Sequence, residues 1–252
     1  MRARVCQESD YIEFLLAAQS AFGCVEAAAS QPERMKSVAH DAYTRLLTRR
    51  PLDPEALWNE AQAVGDQALL QGGLLILDDT TLDKPYAAKI DLVSRHWSGK
   101  HKRVVWGINL LSLVWRSCSS HSVAPVVPLD FRVYDVNVDE HGRHFTKNDN
   151  LRAMLSAAHK RGLEPAYVAF DSWYVGLDNL KHIRQLQWRF LTRLKSNRRV
   201  NPDRLGQIEV STLQVPPEGA VVQLKGFGLV RVFQKNDAAG EVEHWATNLH
   251  LS

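Results

Sequence analysis

Two short apolar runs in this chain each end on aspartate followed by small hydroxyl residues. Leu74-Leu75-Ile76-Leu77 runs into Asp78-Asp79-Thr80-Thr81, and Tyr167-Val168-Ala169-Phe170 runs into Asp171-Ser172-Trp173-Tyr174. A short apolar run of this kind reads as a buried strand of an α/β sheet. A carboxylate at its tip lies in the crevice beyond the strand ends, where such sheets hold ligands. Two such tips offer the hard oxygen donors that Mg²⁺ takes. Metal ions held this way neutralise charge on the attacking and leaving oxygens of a phosphodiester. Asp79 and Asp171 are therefore the candidate pair. Asp78 competes with Asp79, because successive strand residues face opposite sides. The plainer role for either aspartate is a turn or N-cap residue.

Basic residues follow each aspartate. Lys84, Lys89, Arg95, Lys100, Lys102 and Arg103 come after the first. Arg189, Arg193, Lys195, Arg198 and Arg199 come after the second, interleaved with Trp188 and Phe190. The net charge is only +3, so these are local stripes on a nearly neutral chain. Such stripes suit a phosphate backbone, and interposed aromatics suit an unstacked base. The alternative is a solvated surface over core aromatics, and strand parity sends at least one of Trp188 and Phe190 inward. Other chemistries find no support. There is no phosphate-cradling glycine loop, no Gly-x-Ser-x-Gly elbow and no His-Glu-x-x-His spacing. The histidines near 96–101 and 141–144 read as loop residues, a poor basis for zinc. Cys6, Cys24 and Cys118 form no zinc or disulfide framework.

The elements that must position these residues fall into three stretches. Residues 1–70 read as helical, with helices near 11–18, 22–30, 37–49 and 55–70, Ser37 as an N-cap, and Gly72-Gly73 as a stop. Two short helices followed by one carrying Arg45 and Arg49 match a helix-turn-helix, or a small packing domain with solvated arginines. Residues 71–196 read as β-β-β-α-β-α-β. The strands lie near 74–79, 104–115, 124–134, 166–170 and 188–194, and the helices near 147–161 and 177–186. Pro125 and Pro128 place the third strand at an edge. Residues 197–252 carry short alternating segments and read as a β-rich appendage to the α/β core. No stretch approaches the roughly 20 apolar residues of a membrane span, and the polar N-terminus is not a secretory signal. A cytoplasmic, nucleoid-associated protein is expected.

The segments around these residues resemble the DDE transposases of bacterial insertion sequences, in the branch with a β-strand insertion in a ribonuclease H-like core. The resemblance rests on Leu77-Asp78-Asp79-Thr80-Thr81-Leu82-Asp83-Lys84-Pro85-Tyr86, on residues Arg95 to Leu110, on Thr146-Lys147-Asn148-Asp149, on Phe170 to Tyr174 and on Leu191 to Arg198. It implies a ribonuclease H-like mixed sheet, a β-rich insertion and an N-terminal helical DNA-binding region. It also implies Asp79, the residue before the threonine, as the first metal-binding carboxylate and Asp171 as the second. The cofactor would be Mg²⁺, with Mn²⁺ as a substitute. The partner would be double-stranded DNA, at transposon ends and target, bound by a homodimer. The nucleic-acid contacts would come from Lys84, Arg95, Lys100, Lys102, Arg103, Arg193, Lys195, Arg198 and Arg199, with Arg45 and Arg49 in the helical region. The family's third carboxylate is a glutamate on a helix after the insertion, and the sequence stops near where it would begin. Glu209, Glu218, Glu241 and Glu243 lack its setting. The expectation is a transposase with impaired cleavage, the alternative a non-catalytic DNA-binding fragment.

Overall fold

The computed structural model describes residues 6–18, 23–31, 38–49, 53–64, 71–87, 89–118, 126–137, 144–237 and 239–249. The chain forms two compact units, Met1–Ala56 and Leu57–Ser252. Helix α1 spans Glu8–Ala17, α2 Cys24–Ala29, α3 His40–Arg49 and α4 Pro54–Val64. In the first unit Phe14, Ala27, Val38 and Tyr43 make a small core. Gln31 ties α2 to the start of α3. Its amide donates to Ala28 O and Val38 O and accepts from Val38 N. Ser37 as an N-cap and residues 65–70 of the fourth helix lie outside the described residues.

The second unit is built on one large sheet. Strand β1 is Leu74–Asp83, β2 Ser94–Ser98, β3 Arg103–Arg116 and β4 Val126–Tyr134. Helix α5, Lys147–Lys160, leads to β5, Tyr167–Phe170; α6, Leu177–Gln185, leads to β6, Phe190–Leu194. β1 lies antiparallel to β3 and parallel to β5, which is parallel to β6. β4 pairs with β3 at the sheet edge, with a register shift at Leu113/Val114 opposite Pro128. A proline has no N–H for the ladder, so it is tolerated at an edge bulge.

β2 was not expected. The segment read as a basic loop forms a ribbon with the start of β3, from Ser94↔Gly107 to Ser98↔Arg103. Gly107 sits where this ribbon leaves β1. A Cβ there would lie 2.6 Å from Leu82 O, so a side chain would push the strands apart.

After β6 come β7 (Arg199–Val200), β8 (Ile208–Glu209), β9 (Ala220–Leu224), β10 (Gly228–Asn236) and β11 (Val242–Asn248). β7 and β8 form a small separate pair. The other three are continuous with the core sheet, in contrast to the expected appendage: β11 pairs with β6, and β10 and β9 follow. Covering the open edge of β6 satisfies its backbone groups. Leu75, Leu77, Leu111, Leu113 and Trp115 pack with Leu151, Met154 and Leu155 of α5 and Leu180 and Ile183 of α6 in one core.

Candidate active site

β1 carries its core parity straight into the site. Leu75 and Leu77 are buried, and Asp79 and Thr81 continue on their side, while Asp78 and Thr80 face the other. Asp79 is held at both oxygens. Oδ1 accepts the Tyr174 hydroxyl at 2.8 Å. Oδ2 accepts Asn109 Nδ2 at 2.8 Å and the Lys147 ammonium at 2.7 Å. Asn109, on β3, is fully buried. Its Nδ2 also reaches Thr81 Oγ1 at 3.2 Å, while its Oδ1 has no partner among the described residues. Burial opposes the charge on Asp79. Hydrogen bonds from Lys147 and Asn109, the Lys147 charge and the Tyr174 hydroxyl outweigh it, so the carboxyl lies below its ordinary range. Burial and then the Asp79 charge push Tyr174 far up, so it remains a phenol donor.

Lys147 reaches Asp79 because it is the first residue of α5. The helix starts at a capping box: Thr146 Oγ1 accepts from Asp149 N at 3.1 Å, and Asp149 Oδ2 accepts from Thr146 N at 2.9 Å. The helix expected near 147–161 is thus capped by Thr146, the residue just before it. Asp171 directly follows β5 and is exposed. It caps the short 3₁₀ turn Ser172–Tyr174 by accepting from Ser172 N. That turn buries Tyr174 and aims its hydroxyl at Asp79. The Asp-Ser-Trp-Tyr segment thus supplies one carboxylate and fixes another.

Asp78 and Asp171 each come one residue after the last β1–β5 pair, Leu77↔Phe170. Burial, then the charges of Asp79 and Asp171, raise Asp78 despite the hydrogen bond it accepts from Asp79 N. The three carboxylates share a cavity of about 510 Å³, whose walls include Arg95, His96, Lys100 and Lys147. Asp78 and Asp171 also border a groove of about 450 Å³ with Arg193, Glu243 and Trp245, which Asp79 does not reach. Among the described residues no group of three or more His, Cys, Asp or Glu side chains is gathered to hold a metal ion by itself. Mg²⁺ needs less, since it keeps waters and takes one or two carboxylates plus substrate phosphates. The donors here are carboxylate oxygens, and Asp79 already binds a cation, the Lys147 ammonium.

The model of the DDE superfamily endonuclease family matches residues 11–210. The chain belongs to this family. No curated protein matches it. Transposase-type nuclease activity is what the DDE endonuclease family supports in general; DNA is the substrate it implies, and divalent metals are its typical cofactors. The mixed sheet with its helices is that of a ribonuclease H-like DDE fold.

Within this DDE endonuclease domain the predicted cations separate into groups. Arg95 and Lys100 line the acidic cavity. Lys195, Arg198 and Arg199 line a neighbouring groove of about 680 Å³, with Lys225 added to them. Burial lowers Arg198. Lys84, Lys102 and Arg103 are exposed beside the β2–β3 ribbon. Arg193 instead faces the other groove, bound to Glu243 at 2.7 Å. In the first unit Arg49 is exposed, and Arg45 is tied to Asp41 at 2.6 Å. Trp188 and Phe190 are both buried, so neither reaches a base. His96 lies on β2, not in a loop, bound to Ser94 Oγ at 2.7 Å; residues 138–143 fall outside the described residues. Sequence reasoning missed Asn109 and Tyr174 and gave Lys147 no role, although all three lie inside the segments that carried the resemblance.

Proposed function

We propose that this chain is a DDE transposase of the insertion-sequence type. It would bind double-stranded DNA at transposon ends, hydrolyse a phosphodiester and transfer the freed 3′-hydroxyl to target DNA. The observation that carries this reading is the cavity shared by Asp79 and Asp171, in a chain of the DDE endonuclease family. Asp79 and Asp171 would hold Mg²⁺, or Mn²⁺ in its place, which would supply charge neutralisation and activation of water at the phosphorus. The chain's own residues do the rest. Asn109 and Tyr174 keep the Asp79 carboxylate in one orientation, so no reorganisation is needed at the moment of reaction. Lys147 balances its charge before substrate arrives. The groove with Lys195, Arg198 and Arg199 offers a path for the phosphate backbone beside Asp171.

Duplex cleavage with Mg²⁺ or Mn²⁺ tests the reading. Metal-dependent cutting that both Asp79→Asn and Asp171→Asn abolish supports it. Undiminished cutting by both variants contradicts it.

A second reading, a non-catalytic DNA-binding chain, is favoured by one observation. Among the described residues no glutamate lines the acidic cavity, and Glu243 is committed to Arg193 and to Trp245 Nε1. Salt-sensitive DNA binding without any cutting would select it.

A further inference from the structure

Three of the seven tryptophans stand exposed, although tryptophan is usually well covered; two of them, Trp97 and Trp173, line the acidic cavity, and Trp106 pairs with its wall residue Arg95. Trp97 is 59% exposed, Trp106 51% and Trp173 66%. Trp97 and Trp106 belong to the β2–β3 ribbon. Its pairing sets Arg95 opposite Trp106 and Trp97 opposite Val104. The intervening residues His96, Ser98 and Gly107 are buried. The ribbon therefore presents one face made of two indoles, a valine and an arginine. Trp173 stands on another wall of the same cavity, in the turn after Asp171. It also lines the basic groove, so it marks the junction of the two.

On the ribbon and in the turn after Asp171 alike, an indole is paired with a cation. The Arg95 guanidinium lies 5.3 Å from the Trp106 ring centre, and the Lys195 ammonium 5.8 Å from the Trp173 ring centre. An exposed indole beside a phosphate-seeking cation is the pattern that binds nucleic acid through unstacked bases, because every base has a π-face to offer. Intact duplex hides those faces. Lysine is depleted in protein–protein interfaces, whereas this ribbon is surrounded by exposed Lys100, Lys102 and Arg103.

We propose that Trp97 and Trp173 stack on unpaired bases, so the DNA this cavity accepts has its strands parted next to the phosphate presented to the aspartates. The proposal rests on the DNA reading above and adds the form of the substrate. Trp106, backed by Arg95, extends the platform along the ribbon.

Fluorescence anisotropy of the full chain at one fixed salt concentration tests it. The probes are a blunt duplex, the same duplex with three mismatched terminal pairs, and a duplex whose unpaired positions are abasic. The mismatched end should bind about tenfold tighter than the blunt end, as one or two stacked bases would give. The abasic end should lose that gain. Trp97→Ala and Trp173→Ala should each reduce the preference, and Trp97→Phe and Trp173→Phe should keep most of it. Equal binding of blunt and mismatched ends overturns this proposal alone. A preference that survives both alanine variants does so too, as does Trp97→Ala changing self-association with the preference intact. Binding to none of the probes overturns the DNA reading and this proposal together.

Discussion

Asp79 is the residue on which the site turns, because every hydrogen bond it accepts comes from a different element. Asn109 belongs to β3, Lys147 to α5 and Tyr174 to the turn after β5. Lys147 competes with any other cation for Asp79 Oδ2. Lys147→Met should therefore tighten Mn²⁺ binding about tenfold, measured by calorimetric titration; a tenfold change is about 1.4 kcal/mol, well within the reach of one charge at this separation. Unchanged or weaker binding would mean that Lys147 does not compete. The aspartates themselves were legible because an apolar run ending in a carboxylate is a local pattern. Their partners were not, since they lie 30, 68 and 95 positions from Asp79 along the chain. No local periodicity connects such residues.

At the scale of elements, the start of α5 sets the charge at the site. The Thr146–Asp149 capping box fixes the first turn and with it Lys147. Thr146→Ala should cost about 1 kcal/mol of stability, as for other lost N-caps, read from the urea midpoint. It should also release Lys147 and so shift Mn²⁺ affinity in the direction of Lys147→Met. A stability loss with no change in affinity would separate the cap from the site. The α5 and α6 boundaries were readable to within a residue, since the expected 147–161 and 177–186 became Lys147–Lys160 and Leu177–Gln185. β2 was not readable. Ser94-Arg95-His96-Trp97-Ser98 is short and basic, and its alternation hides behind residues that also suit a loop. Only pairing with β3 makes its outward and inward faces distinct. Trp188 and Phe190 show the reverse problem. Their flanking arginines suggested a nucleic-acid surface, yet both rings pack in the core.

For the whole molecule, the balance of charge predicts how stability follows pH. Burial lowers His96, His182 and His244, with the Lys147 charge adding to the effect at His96. The unfolded chain takes up protons at these histidines near pH 6.5, while the folded chain resists. Stability therefore falls as pH drops below about 6.5. The depressed carboxyls act lower on the scale. Asp79 and Asp149 stabilise the fold above the ordinary carboxylate range, and that contribution is lost as pH falls through their lower folded values. Urea unfolding should thus show a lower midpoint at pH 5.5 than at 7.5, with His182→Gln reducing the difference. Equal midpoints would contradict the assignment of neutral histidines. The sheet is the other whole-molecule feature. The α/β class was evident from alternating strands and helices. The continuity of β9–β11 with the core was not, because edge pairing between β6 and β11 is a long-range match that neither strand's own pattern specifies.

On the proposed function, Asp79 and Asp171 would hold one divalent metal between them for phosphodiester chemistry. Mn²⁺ binding to the full chain in the presence of duplex DNA tests it most directly, comparing Asp78→Asn, Asp79→Asn, Asp171→Asn and Glu243→Gln by electron paramagnetic resonance. The expected result is a bound Mn²⁺ signal that Asp79→Asn and Asp171→Asn each remove and that Glu243→Gln leaves intact. A signal that survives Asp79→Asn but disappears in Asp78→Asn, or that depends on Glu243, would place the metal in the other groove and rule out the Asp79–Asp171 site.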